Sequence, residues 1–127
     1  MNELVREWVE KARSDYHTAE REISVEVNPN WDGVCFHCQQ CIEKLLKALL
    51  QKSNTKFSKT HDLEELLRLI LPAYPALSEI RDGLEWLTVF AVEIRYPGES
   101  ALKEDAEKSC KITKECWAMI MPLIENE

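Results

Sequence analysis

Leu77, Ile80, Leu84, Leu87, Ala91 and Ile94 follow one another at alternating steps of three and four residues. An α-helix returns to the same face at that interval, whereas a strand would alternate every second residue. The spacing predicts a helix over 76–95 that stops ahead of Pro97, because a proline disfavours helical backbone in the residue before it. Trp86, Val89, Phe90 and Val92 fall outside the stripe, so between 84 and 92 this helix is apolar over most of its circumference. A helix of that kind is buried on two sides: it is either the central helix of the fold or a helix whose second face meets another copy of the chain.

The same period recurs along the chain. Val5, Trp8, Val9, Ala12, Tyr16, Ala19 and Ile23 predict a first helix over 3–26, broken by Asn28, Pro29 and Asn30. Cys35, Cys38, Ile42, Leu45, Leu46 and Leu49 predict a second over 32–53 with Asp32 as its N-cap. Asp62 followed by Glu65 and a leucine run predicts a short third helix over 62–71, and Leu102, Ala106, Ser109, Thr113, Cys116, Trp117, Ile120 and Ile124 are expected on the inner face of a last helix over 99–125. With only 3 glycines and 5 prolines in 127 residues, there is too little turn chemistry for a many-stranded sheet. The expected fold is all-α, a single domain over 1–127, built as an antiparallel up-and-down four-helix bundle with one additional short helix.

Sixteen Lys and Arg against 23 Asp and Glu give a net charge of -7, the wrong sign for holding nucleic acid by bulk phosphate attraction. Basic character is local: Lys44, Lys47, Lys52, Lys56 and Lys59 occur with no acidic residue between Glu43 and Asp62. No run of about 18 apolar residues exists, and the chain opens without a basic segment leading into an apolar one. A cytoplasmic protein with no membrane contact is expected. The 5 cysteines are then expected as reduced thiols. Cys35, Cys38 and Cys41, with His37 alongside, have the spacing of soft-metal ligands, but Cys35 and Cys38 share the arc of Ile42, Leu45 and Leu49, with Cys41 at its edge, where cysteine packs as a small hydrophobe. Neither metal nor cofactor is expected.

Arg95 falls on the helical wheel with Leu77 and Leu84, on the stripe that faces the core. A guanidinium there needs partners, either the last carbonyls of its own helix or an anion in a cleft, which its planar fork suits. His61 and Asp62 allow a helix cap or a phosphate site at free N–H groups. Asp15 and Glu43 read as solvated helix charges. No Ser/His/Asp motif, His-Glu-x-x-His or Walker loop is present.

Phe36, Gln39, Gln40, Glu43, Lys44, Lys47 and Ala48 in FHCQQCIEKLLKALL, then Thr60-His61-Asp62-Leu63, then Arg95-Tyr96-Pro97 resemble three ordered elements of HEPN domains, with Cys38 and Cys41 where small residues are usual. The resemblance implies an up-and-down bundle that dimerises, a cleft associated with nucleotides or RNA, and a separately encoded minimal nucleotidyltransferase as partner in a toxin–antitoxin-like pair. HEPN ribonucleases carry an Arg followed, after four to six residues, by a His. Here no histidine follows His61, and Arg13 and His17 have only three residues between them. The family's cleavage route therefore lacks its acid–base partner. The resulting expectation is a non-catalytic binding module, homodimeric through the helix 4 region, with Arg95, Tyr96, His61, Asp62, Lys44 and Lys47 at the ligand. Two alternatives stand beside it: a metal-independent ribonuclease toxin in which folding brings His61 to Arg95, and a purely structural interaction domain in which Arg95 only caps a helix.

Overall fold

The computed structural model describes residues 1–126 and contains the helices Glu3–Ile23 (α1), Trp31–Lys52 (α2), Leu63–Ile70 (α3), Arg81–Glu93 (α4) and Lys103–Glu125 (α5), with a 3-10 segment at Pro75–Ile80. Among the described residues there is no strand. The fold is all-α, as the apolar periodicity requires, and its ends are set by capping chemistry. The Asn2 carboxamide accepts from Val5 N–H at the start of α1, and Asp62 accepts from Glu64 and Glu65 N–H at the start of α3. Glu65 does not complete the reciprocal box; it accepts from Thr60 Oγ1, and Thr60 in turn accepts from Asp62 N–H.

Several boundaries differ from the pattern. The first helix ends at Ile23 rather than 26, and Asn28 adopts the left-handed conformation at φ 51 that turns the chain toward α2. Asn30 is the N-cap of α2, accepting from Gly33 N–H at 2.8 Å, while Asp32 accepts from Ala101 N–H at 2.6 Å and ties the start of α2 to the start of α5. A Cβ at Gly33 would lie 2.7 Å from Asn30 Nδ2, so the cap requires glycine there. The expected helix over 76–95 is two elements. Pro75 opens a 3-10 turn whose i,i+3 period places Leu77 and Ile80 together, and α-helix begins only at Arg81. The last helix begins at Lys103 rather than 99, with Asp105 reaching back to Leu102 N–H, and Leu102 itself is exposed.

The central helix is α2, not α4. Leu45, Leu46, Leu49 and Leu50 are fully buried, and α2 packs against α1, α3, α4 and α5. Its closest neighbours are α1 and α5. Small polar residues let α5 approach: Ser109 and Thr113 are buried and return their hydroxyls to the carbonyls of Asp105 and Ser109. Helix α4 is an outer helix. Leu84, Leu87 and Ala91 face the core; Trp86 and Phe90 stack at 5.0 Å between ring centroids, with Lys108 Nζ 4.2 Å from the Trp86 ring; Val89 and Val92 are left 55% and 48% exposed.

Candidate functional site

At 100° per residue, Phe36, His37, Gln39, Gln40, Glu43, Lys44 and Lys47 fall on one side of α2, opposite Leu45 and Leu49. Two ion-pair networks run along it. Asp15, on α1 and only 8% exposed, accepts from Lys44 Nζ at 2.5 Å and from His37 Nδ1 at 2.8 Å. Glu43, 3% exposed, accepts from Lys47 Nζ at 3.0 Å through one oxygen and from His61 Nδ1 at 3.0 Å through the other. Lys47 Nζ also lies 5.5 Å from the centre of the Trp8 ring. Buried charges are tolerated only when paired in this way. Gln39 Nε2 donates to the His61 carbonyl at 3.0 Å, and Gln40 Nε2 to Gln39 Oε1 at 2.8 Å, which seats the segment before α3 on the α2 edge.

Arg95 does not point into the core. Helix α4 stops at Glu93 with Ile94 as C-cap, and the amides of Arg95 and Tyr96 bond three residues back, to Val92 and Glu93, as the chain turns toward Pro97. The helical wheel does not extend past Ile94, so Arg95 is exposed. Its guanidinium carbon lies 5.8 Å from the centre of the Phe36 ring. The carbonyl-capping role expected for it is not what its side chain does. Tyr96 is exposed beside it in sequence.

The structure divides the candidate residues into two sets. Lys44 and Lys47 are committed to Asp15 and Glu43, and Asp62 is committed to capping α3. Arg95, Tyr96 and His61 face solvent, the His61 side chain being 75% exposed. Phe36 and Glu43 are seven residues apart, about 10 Å along α2 at 1.5 Å per residue. Arg95 and His61 thus border the same helix edge at separate points, with Gln40 between them. Because Nδ1 of His61 is held by Glu43, its Nε2 is the nitrogen presented outward, without a hydrogen bond to any described residue.

Asp15 and Glu43 correct the expectation of solvated charges. Asp15 lies three residues after Ala12 and four before Ala19, on the buried stripe of α1, and that spacing signals its burial. Glu43 lies on the polar edge of α2, but there the His61 segment and Lys47 cover it. The cysteines occur as free thiols, with Cys35, Cys38 and Cys41 buried among the leucines. Among the described residues, no group of three or more His, Cys, Asp or Glu side chains is arranged to hold a metal ion, and no helix is long and apolar enough to cross a membrane.

Comparison with known proteins agrees with the all-α fold. The crystal structure of an archaeal HEPN homologue superposes with a TM-score of 0.74 at 22% identity, covering 95% of this chain and 98% of that one. No curated protein gives a significant sequence match. The sequence profile of the HEPN domain matches residues 5–123, a span that takes in the α2 edge, the His61 segment and the Arg95 turn. The chain therefore belongs to the HEPN domain family.

Proposed function

We propose that this HEPN domain is a binding module that takes a nucleotide, or a short stretch of single-stranded RNA, along the α2 edge between Arg95 and His61. The observation that supports this reading most is the division of charge on that edge. Both lysines are neutralised by buried carboxylates, whereas Arg95 lies on the Phe36 ring and forms no ion pair with a described residue. A planar cation beside two exposed aromatic rings, Phe36 and Tyr96, suits a phosphate with its base. In this reading Arg95 contacts phosphate, Tyr96 and Phe36 stack, His61 supplies a hydrogen bond, and Lys44, Lys47 and Asp62 hold the surface in shape. The module works in the cytoplasm as a homodimer through the outer face of α4, with a separately encoded minimal nucleotidyltransferase as partner in a toxin–antitoxin-like pair.

One observation favours the ribonuclease alternative. A buried carboxylate orienting an imidazole through Nδ1, with Nε2 turned to solvent, is how a general base is prepared. Against it stands the spacing: Arg95 and His61 meet α2 at points about 10 Å apart along its axis rather than at one point. Titrating AMP and a short single-stranded oligoribonucleotide into wild type, Arg95→Ala and His61→Ala, in chelator, tests both readings. Binding weakened about tenfold in Arg95→Ala with the RNA left intact supports the module. RNA cleavage lost in His61→Ala supports the enzyme, and equal or absent binding in all three leaves the structural-domain alternative.

A further inference from the structure

Away from the α2 edge, two cysteines from different helices meet. Cys38 of α2 is 1% exposed, and its Sγ lies 3.8 Å from Sγ of Cys110 on α5, toward which the Cys38 thiol donates. Cys110 is half-buried and opens on the other side into a groove between the end of α1 and α5, bounded by Glu20, Ile23, Lys111 and Lys114. One sulfur of the pair is reachable from solvent, and the other waits behind it in the core.

From this juxtaposition we infer that Cys110 and Cys38 are a modification site, a dithiol that hydrogen peroxide oxidises to an intramolecular disulfide joining α5 to α2. Cys110 thiolate attacks one peroxide oxygen and the O–O bond breaks, so that sulfur is oxidised to sulfenic acid and hydroxide leaves. The Cys38 sulfur then attacks the Cys110 sulfur; the S–S bond forms, the S–OH bond breaks, and hydroxide leaves with the Cys38 proton as water. Per peroxide, two thiols become one disulfide and two waters form. A small thiol in excess reverses the link by exchange.

The environment separates the roles. The hydrogen bond from Cys38 and the Lys114 charge hold the Cys110 thiol below its ordinary value, while that same bond and burial push Cys38 up. Burial raises the other thiols, Cys35 to about 11 and Cys116 to about 12, which makes them internal controls. The two sulfurs start in van der Waals contact at 3.8 Å and close to a bond length of about 2 Å when the link forms.

The test treats the full chain with hydrogen peroxide, alkylates the remaining thiols in denaturant, and maps peptides by mass spectrometry. The expected product joins the Cys38 and Cys110 peptides with loss of two hydrogens, is undone by dithiothreitol, and leaves Cys35, Cys41 and Cys116 alkylated. Cys38→Ser should accumulate a dimedone-reactive sulfenic acid at Cys110, with Cys38→Ala as a second variant should serine disturb the core, and Cys110→Ser should form no link. The oxidised wild type should also melt at higher temperature, because the cross-link restricts the unfolded chain. In the wild type, recovery of alkylated Cys110 after peroxide, a link through any other cysteine, or Cys110 oxidised while Cys38 is recovered alkylated would each overturn the proposal.

Discussion

Glu43 Oε1 and His61 Nδ1 meet at 3.0 Å, although the carboxylate is buried and the imidazole stands largely in water. The other oxygen of Glu43 is fixed by Lys47 from inside the bundle, so the core sets the direction in which an exposed ring points. Removing the carboxylate leaves a buried ammonium with no counter-charge. Glu43→Ala should therefore cost about 3–5 kcal/mol, and the Glu43→Leu/Lys47→Met double variant should recover most of it. Urea unfolding followed by circular dichroism measures both, and a Glu43→Ala midpoint equal to wild type would contradict the pairing.

The exposed residues of the edge should matter less to stability. Arg95→Ala removes a side chain that buries little and should change stability by no more than about 0.5 kcal/mol. His61→Ala takes one partner from the buried Glu43 carboxylate and should cost about 1–2 kcal/mol. An Arg95→Ala unfolding curve that matches wild type would show that its loss of binding comes from the surface, and a loss similar to that of Glu43→Ala would mean that it belongs to the frame.

Buried thiols make the fold sensitive to alkali. Cys35, Cys41 and Cys116 are raised by burial from an ordinary 9.0, Cys35 to about 11 and Cys116 to about 12. Below pH 9 both folded and unfolded chains keep these protons. Above it only the unfolded chain releases them, so stability falls as pH rises from about 9 to 11, by up to about 1.4 kcal/mol per pH unit for each thiol. Cys110 is shifted the other way, and its contribution is complete before this window opens. Urea midpoints across the range should drop steeply in wild type and less steeply in Cys116→Ala; equal slopes would exclude the thiols as the cause.

Val89 and Val92 lie one turn apart on the outer face of α4 and are about half exposed. If that face joins two copies, Val89→Glu with Val92→Glu should halve the mass seen by light scattering while leaving the helical signal unchanged. A wild type that already scatters as a single chain would remove the dimer.

The sequence makes the helices legible because burial repeats with the turn of the helix, and it shows the α3 cap because Asp62 acts on amides two and three residues away. The site is legible only in part. His61 and Arg95 can be singled out as residues, and Glu43 with Lys47 is a local i,i+4 pair, but Glu43 to His61 and Asp15 to His37 and Lys44 are made across 18 to 29 positions by packing and not by any local rule. Arg95 shows where periodicity fails. A wheel assumes the helix continues, and the two steps from Glu93 to Arg95 are enough to turn the guanidinium from the core to the surface.

The most direct test of the α2 edge as the ligand-bearing surface is two-dimensional amide NMR of labelled protein during titration with AMP and with a short oligoribonucleotide. Shifts should gather at Phe36, Gln39, Gln40, His61, Arg95 and Tyr96 and vanish in Arg95→Ala. Shifts confined to the groove between α1 and α5, or no saturable shifts with either probe, would contradict it.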